Sequence, residues 1–167
     1  MTQRHMTQRI QLSPGIPSAF KALIEMSGEV TKAGADAGVD ISLLELVKIR
    51  ASQLNGCAFC LDMHTTDALA HGEDPRRLFL LDAWRETELF TEEERAALEL
   101  TEVITRLPQT QDVPDEVYER AVKVFNEAQY RAVAWMIVVI NAFNRLAVPS
   151  RARLARRDGT RRPPARH

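Results

Sequence analysis

Cysteine is scarce in this chain: two residues, Cys57 and Cys60, in 167. A pair three positions apart is no secreted disulfide framework and points instead to redox or metal chemistry. Glycine is scarce as well, at 7, and no glycine-rich phosphate loop is present. Long apolar runs are missing. The longest uninterrupted one covers residues 132–140 and stops at Asn141, well short of the ~20 residues a membrane helix needs. Residues 1–12 are polar and lack the apolar stretch of a secretory signal. A cytoplasmic protein with no membrane contact is the expectation, and unpaired thiols suit it. A net charge of one sign is also lacking, at -1 overall.

That balance conceals two unlike parts. Residues 151–167 hold seven arginines and one acid, Asp158, for a net of +6, which leaves the rest of the chain at -7. The body is therefore acidic and the tail basic. Nucleic acid is an unsuitable partner, because the tail offers no aromatic ring for stacking and the body repels phosphate. The 45% apolar content fits one globular domain with a core of its own. Three parts are expected: a flexible segment 1–15, a helical domain 16–148, and a disordered basic tail 149–167. Residues 1–4 recur as 6–9, and that short repeat is set aside from the fold.

No stretch alternates steadily between apolar and polar, so strands have no support. The pattern predicts an all-α bundle of six to seven helices. The first covers residues 18–32 and is broken by the glycines at 34 and 38. The second covers 42–54 and ends at Asn55-Gly56. The third starts at the cysteines and reaches His71, with Gly72 as its left-handed cap. Asp74-Pro75 opens the fourth. Thr91 and Glu94 form a capping box for the fifth, and Pro114 precedes the sixth. The last covers 127–147, is stopped by Pro149, and should be the most buried element. Trp84, Trp135, Phe79 and Phe143 fall in apolar stripes and read as core. Asn141, Asn144 and Arg145 either face a site or satisfy buried backbone.

The chemistry gathers in residues 45–72. Cys57 and Cys60 are about one helical turn apart, close enough to form a small disulfide ring. Cys57 sits at a helix start, where exposed amides favour a thiolate. His64 follows Cys60 by four residues, on the same face, and can take or return a thiol proton. Glu45 has Ile41 and Ile49 as its same-face neighbours. Desolvation there would raise its pKa and make it a proton acceptor near neutral pH. The alternative is a glutamate at the edge of an exposed stripe, paired with Lys48 or Arg50. Cys57, Cys60, His64 and His71 could be offered as a zinc set, but one continuous helix cannot easily wrap a tetrahedron.

The pattern E-x11-C-x2-C-x3-H, from Glu45 through Cys57 and Cys60 to His64, resembles the AhpD-like alkylhydroperoxidase branch of the carboxymuconolactone decarboxylase family. The text at residues 52–64, 80–85, 94–98 and 141–148 is similar to its small single-domain members, and the resemblance covers about residues 16–148. It implies a helical fold that assembles as a homo-oligomer, a trimer or hexamer. It also implies a dithiol that reduces hydroperoxides, with Cys60 the peroxidatic thiol, Cys57 the resolving thiol, and Glu45 and His64 the proton relay. No metal, flavin or nicotinamide is implied. The implied partners are a hydroperoxide and a dithiol reductant, either a lipoyl group or a thioredoxin-like protein. The family's decarboxylases proper lack the cysteine pair, so lactone decarboxylation is not expected. One departure stands between the cysteines: the family's best-studied peroxidase has a histidine there, and this chain has Ala58 and Phe59. The rival reading is a redox-sensing or partner-binding dithiol module without turnover.

Overall fold

The computed structural model describes residues 7–154. The first six residues and most of the basic tail lie outside the described residues. Within them the chain is all α. The helices are α1 (Leu12–Gly15), α2 (Pro17–Asp36), α3 (Ile41–Asn55), α4 (Ala58–Ala70), α5 (Pro75–Leu80), α6 (Glu92–Thr105), α7 (Leu107–Thr110), α8 (Asp115–Val124) and α9 (Glu127–Ser150), with a 3-10 helix at Leu81–Glu86.

Local chemistry accounts for most of the boundaries. The Asp40 side chain caps α3 by accepting from the Ser42 amide, and Asp74 does the same for α5 through Arg76. Thr91 and Glu94 form the expected capping box on α6, and Asn126 with Gln129 forms another on α9. Each satisfies amides that the first helical turn leaves without partners. The first long helix runs past Gly34, where a break was expected, and stops at Gly38, whose φ is +78°. Gly34 is buried inside α2. A Cβ there would come within 3.1 Å of a Leu44 methyl, so this glycine permits close packing against α3.

α3 packs against α4, α6 and α9, and α2 lies along α9. The expectation that the last helix is the most buried needs correcting. On α3, residues 43–47 and 49–52 are all buried, whereas α9 keeps an outward stripe of Arg131, Trp135, Val138 and Arg145. That 3.5-residue spacing is one helix face. Trp135 lies on it and is exposed, and Phe79 is 83% exposed. Neither is a core residue. Trp84 is buried, as expected. By length and apolar composition α9 could cross a membrane, but its inner face (Val133, Met136, Ile137, Ile140) is packed core.

Pro149 does not stop α9; the helix continues to Ser150. Proline at that position has no amide to give the Arg145 carbonyl, so the final turn lacks that one bond. Residues from the other end of the chain take up the groups left over. Gln11 Nε2 donates to the Ser150 carbonyl at 2.8 Å, the Leu12 amide to Ser150 Oγ at 3.1 Å, and Arg9 to the Pro149 carbonyl at 3.3 Å. The described part of the N-terminal segment is thus tied to the end of α9.

Candidate active site

The site is built on a helical hairpin. Gly56, at φ +66°, ends α3 in the left-handed conformation, which costs glycine no steric penalty. The Cys57 amide donates back to the Ser52 carbonyl at 2.9 Å, and α4 starts at the next residue. A turn this short lays α4 antiparallel on α3. Glu45, about three turns before it, and His64, about two turns after it, meet across the hairpin. The Asn55 side chain anchors the turn to α9, donating to Asn144 Oδ1 at 2.8 Å and to Asn141 Oδ1 at 3.0 Å. Asn144 donates to Ser52 Oγ, and Asn141 donates to Thr105 Oγ1. Neither expectation for Asn141 and Asn144 holds as stated: both bond mainly to the side chains of Asn55, Ser52 and Thr105, with one Asn141 bond to the Ile137 carbonyl.

Cys57 and Cys60 are joined as a disulfide, with their Cα atoms 5.4 Å apart. Both are 2% exposed. Cys57 is the N-cap of α4, and its sulfur accepts from the Cys60 amide at 3.3 Å. The sulfur therefore takes the place of the capping oxygen common at helix starts.

Glu45 and His64 are both buried, with 3.1 Å between His64 Nδ1 and Glu45 Oε2. Lys48, one turn along α3, forms an ion pair with Glu45 Oε1. The expected raised pKa of Glu45 is not what this setting produces. Burial pushes the carboxyl up, but hydrogen bonds from His64 and Lys48 and the Lys48 charge outweigh it, holding Glu45 below its ordinary value. The glutamate is buried and paired at once, a combination that neither reading of the periodicity contained. An ionised carboxylate can only accept, so His64 Nδ1 is the donor in this contact; in a neutral ring that leaves Nε2 as the acceptor.

Asp67, whose side chain is half exposed, comes within 3.9 Å of His64 Nδ1. Glu45, His64 and Asp67 each bring one ligand atom within 4.8 Å of the others. A cation held there would compete with the Lys48 ammonium for Glu45. His71 is exposed at the end of α4, its Nδ1 2.7 Å from the Asp67 carbonyl. The disulfide leaves the cysteines without thiolates to offer a zinc ion, so the four-residue set weighed from the sequence is not assembled.

A cavity of about 530 Å³ opens onto this hairpin. Cys60, His64 and Lys48 line it, together with Phe20, Phe59, Met63 and Phe143. Sequence reasoning missed Lys48 as a wall residue and Ser52, Asn55 and Thr105 as supports. The signal for Lys48 was its place one turn from Glu45; the polar supports are long-range contacts with no local signature.

The family model "Carboxymuconolactone decarboxylase family" matches residues 17–103. The uncharacterized protein YdfG of Bacillus subtilis is 41% identical over 143 residues, which cover 86% of this chain and 94% of that one. A crystal structure of an Agrobacterium tumefaciens protein of unknown function, suggested to be the antioxidant defence protein AhpD, superposes with a TM-score of 0.82 at 32% identity. It covers 90% of this chain and 100% of that one. The debrominase Bmp8 shares the fold at a TM-score of 0.63 and 14% identity, over 92% of this chain and 94% of its own.

Proposed function

The chain belongs to the carboxymuconolactone decarboxylase family, and from that premise we propose that it is a thiol peroxidase that reduces hydroperoxides through Cys57 and Cys60. The observation that carries this reading is the shared cavity. Cys60 and His64 line the same space, and Glu45 holds His64 in the tautomer whose Nε2 can accept a proton.

In the reduced protein, His64 Nε2 takes the Cys60 proton, and Glu45 stabilises the imidazolium without carrying the proton itself. The Cys60 thiolate attacks the terminal oxygen of the hydroperoxide. The O–O bond breaks, the alkoxide leaves as an alcohol with the proton from His64, and Cys60 becomes a sulfenic acid. The Cys57 thiol then condenses with it, forming the disulfide and releasing water. A dithiol donor reduces the disulfide by two exchange steps and is itself oxidised to a disulfide. Cys60 is assigned the attack because it lines the cavity, whereas Cys57 caps the helix.

Both cysteines are buried, so a donor reaches them through the cavity. A slender dithiol such as a lipoyl group suits that access better than the face of a thioredoxin-like protein. Assembly into a homo-oligomer belongs to the same reading, supported by the outward Trp135 and Val138 on α9, which offer apolar surface to bury.

The test is peroxide consumption by the full chain with a panel of dithiol donors. Turnover is expected in the wild type and is lost in Cys60→Ser. A sulfenic-acid trap should label Cys57→Ser and leave Cys60→Ser unlabelled; the reverse pattern overturns the assignment of the attacking thiol. Reversible disulfide formation with no turnover identifies a redox sensor instead.

A further inference from the structure

The cavity wall has an unusual charge balance. Besides Cys60 and His64, the apolar side chains of Phe20, Ile24, Phe59, Met63, Phe143 and Leu146 carry most of it, and Gln11, Ser13, Ser27 and Ser150 add neutral polar groups. Among the described residues it contains two cations, Lys48 and Arg153, and no carboxylate. Lys48 is neutralised by Glu45. Arg153 is exposed and is in no ion pair among the described residues. The wall therefore runs from a buried sulfur to an exposed cation that meets no carboxylate among the described residues, with mostly aromatic and aliphatic surface between them.

We propose that this cavity takes an amphipathic anion: a carboxylate meets Arg153 at the open end, and the apolar body lies along the aromatic wall toward Cys60. Resting on the peroxidase reading, the substrate is an apolar hydroperoxide that also bears a carboxylate, with its O–O bond at the end remote from the acid. Three features select this class. A volume of about 530 Å³ lies within the ordinary range for small-molecule sites. An apolar lining rewards burial of a hydrocarbon body in proportion to its area. A guanidinium matches a carboxylate in charge and planar geometry. Hydrogen peroxide would use none of these features. A cationic amphiphile would meet Arg153 with like charge.

The test separates binding from chemistry. Calorimetric titration of the oxidised full-length protein with decanoate, decanol and decyltrimethylammonium, each below its micellar concentration, reads the cavity without turnover. Decanoate should bind about two- to fivefold tighter than decanol, the range of one exposed ion pair, and the ammonium should bind weakest. In Arg153→Gln the decanoate–decanol difference should disappear. Equal affinities in the wild type, or a preference unchanged by Arg153→Gln, overturn the proposal. In parallel, kcat/KM is measured for a fatty-acid hydroperoxide and for its methyl ester; the free acid should be the better substrate through KM. Selective decanoate binding without peroxide turnover upholds the cavity assignment and defeats the catalytic reading. Turnover indifferent to esterification, with no decanoate selectivity, upholds the catalytic reading and defeats this one.

Discussion

Two buried glutamates sit on either side of α3, and their partners differ in kind. Glu45 meets His64 and Lys48 beside the cavity. Glu102, on α6, is clamped by Arg50 from α3 at 2.8 Å, by Trp84 Nε1 at 2.9 Å and by Arg85 at 2.7 Å. Burial pushes both carboxyls up, and in both cases the hydrogen bonds and neighbouring cations more than offset it, so both lie below their ordinary value. A depressed carboxyl is therefore no mark of a catalytic group here. What separates the two is whether a partner can give up or take a proton. Arginine and indole donors keep theirs at any ordinary pH, so the Glu102 cluster can only hold elements together. Histidine exchanges its proton near neutrality, and this one shares a cavity with a sulfur. On the peroxidase reading, rigidity comes from one cluster and proton transfer from the other.

Removing Glu102 should have the largest effect, and it should fall on stability. Glu102→Ala leaves Arg50, which is 5% exposed, with the exposed Asp82 as its remaining counterion and Gln53 as a further partner; breaking a buried pair costs about 3–5 kcal/mol, and these contacts should hold the loss to the low end of that range. Denaturant unfolding reads this directly, and Glu102→Gln gives a milder version should the alanine variant fail to fold. Peroxide turnover per folded molecule should be unchanged in either. Glu45→Gln should invert the pattern. Its kcat/KM should fall by about 100-fold, the lower end for a general acid–base device and about 2.7 kcal/mol of barrier, with a smaller stability loss. Because Glu45 acts through His64, it is a positioning residue. A Glu102 variant with low turnover and full stability would break the comparison.

Much of this was legible in the chain. The capping residues Asp40, Asp74, Thr91 and Glu94, and the turn at Asn55-Gly56, act through neighbours a few positions away, so their signals survive in a linear reading. The grouping of Glu45, Cys57, Cys60 and His64 was legible for the same reason: one hairpin carries all four. What failed was whatever depends on a distant partner. The outward turn of Trp135 and the exposure of Phe79 follow from which faces α2, α3 and α6 cover. Pro149 looks like a stop until Gln11 and Leu12 arrive at the end of α9. The desolvated reading of Glu45 weighed only its apolar neighbours, and Lys48 and His64 reverse the sign; the alternative named Lys48 as a partner but placed the pair at an exposed edge. The Glu102 cluster joins α3, α6 and the 3-10 helix and gave no local sign of itself.

The smallest expected effect tests the feature that the two glutamates share. A carboxyl depressed in the folded protein contributes stability that is fully present above its unfolded pKa, near the ordinary 4.5. That contribution is lost as pH falls through the folded value. The stability difference between wild type and Glu102→Gln should therefore be constant from neutral pH down to about 5 and should narrow at lower pH. The difference between wild type and Glu45→Gln should narrow over the same acid range, because its sign is the same. Urea unfolding of the three proteins at pH 7, 5 and 3.5 is the measurement. A Glu45→Gln difference that widens on acidification would mean that burial wins over His64 and Lys48, and that Glu45 is the elevated proton acceptor its apolar neighbours first suggested. Parallel narrowing, set beside the divergent turnover of the same two variants, would locate the proton-transfer function in His64 and the cavity, with Glu45 serving as its fixed charge.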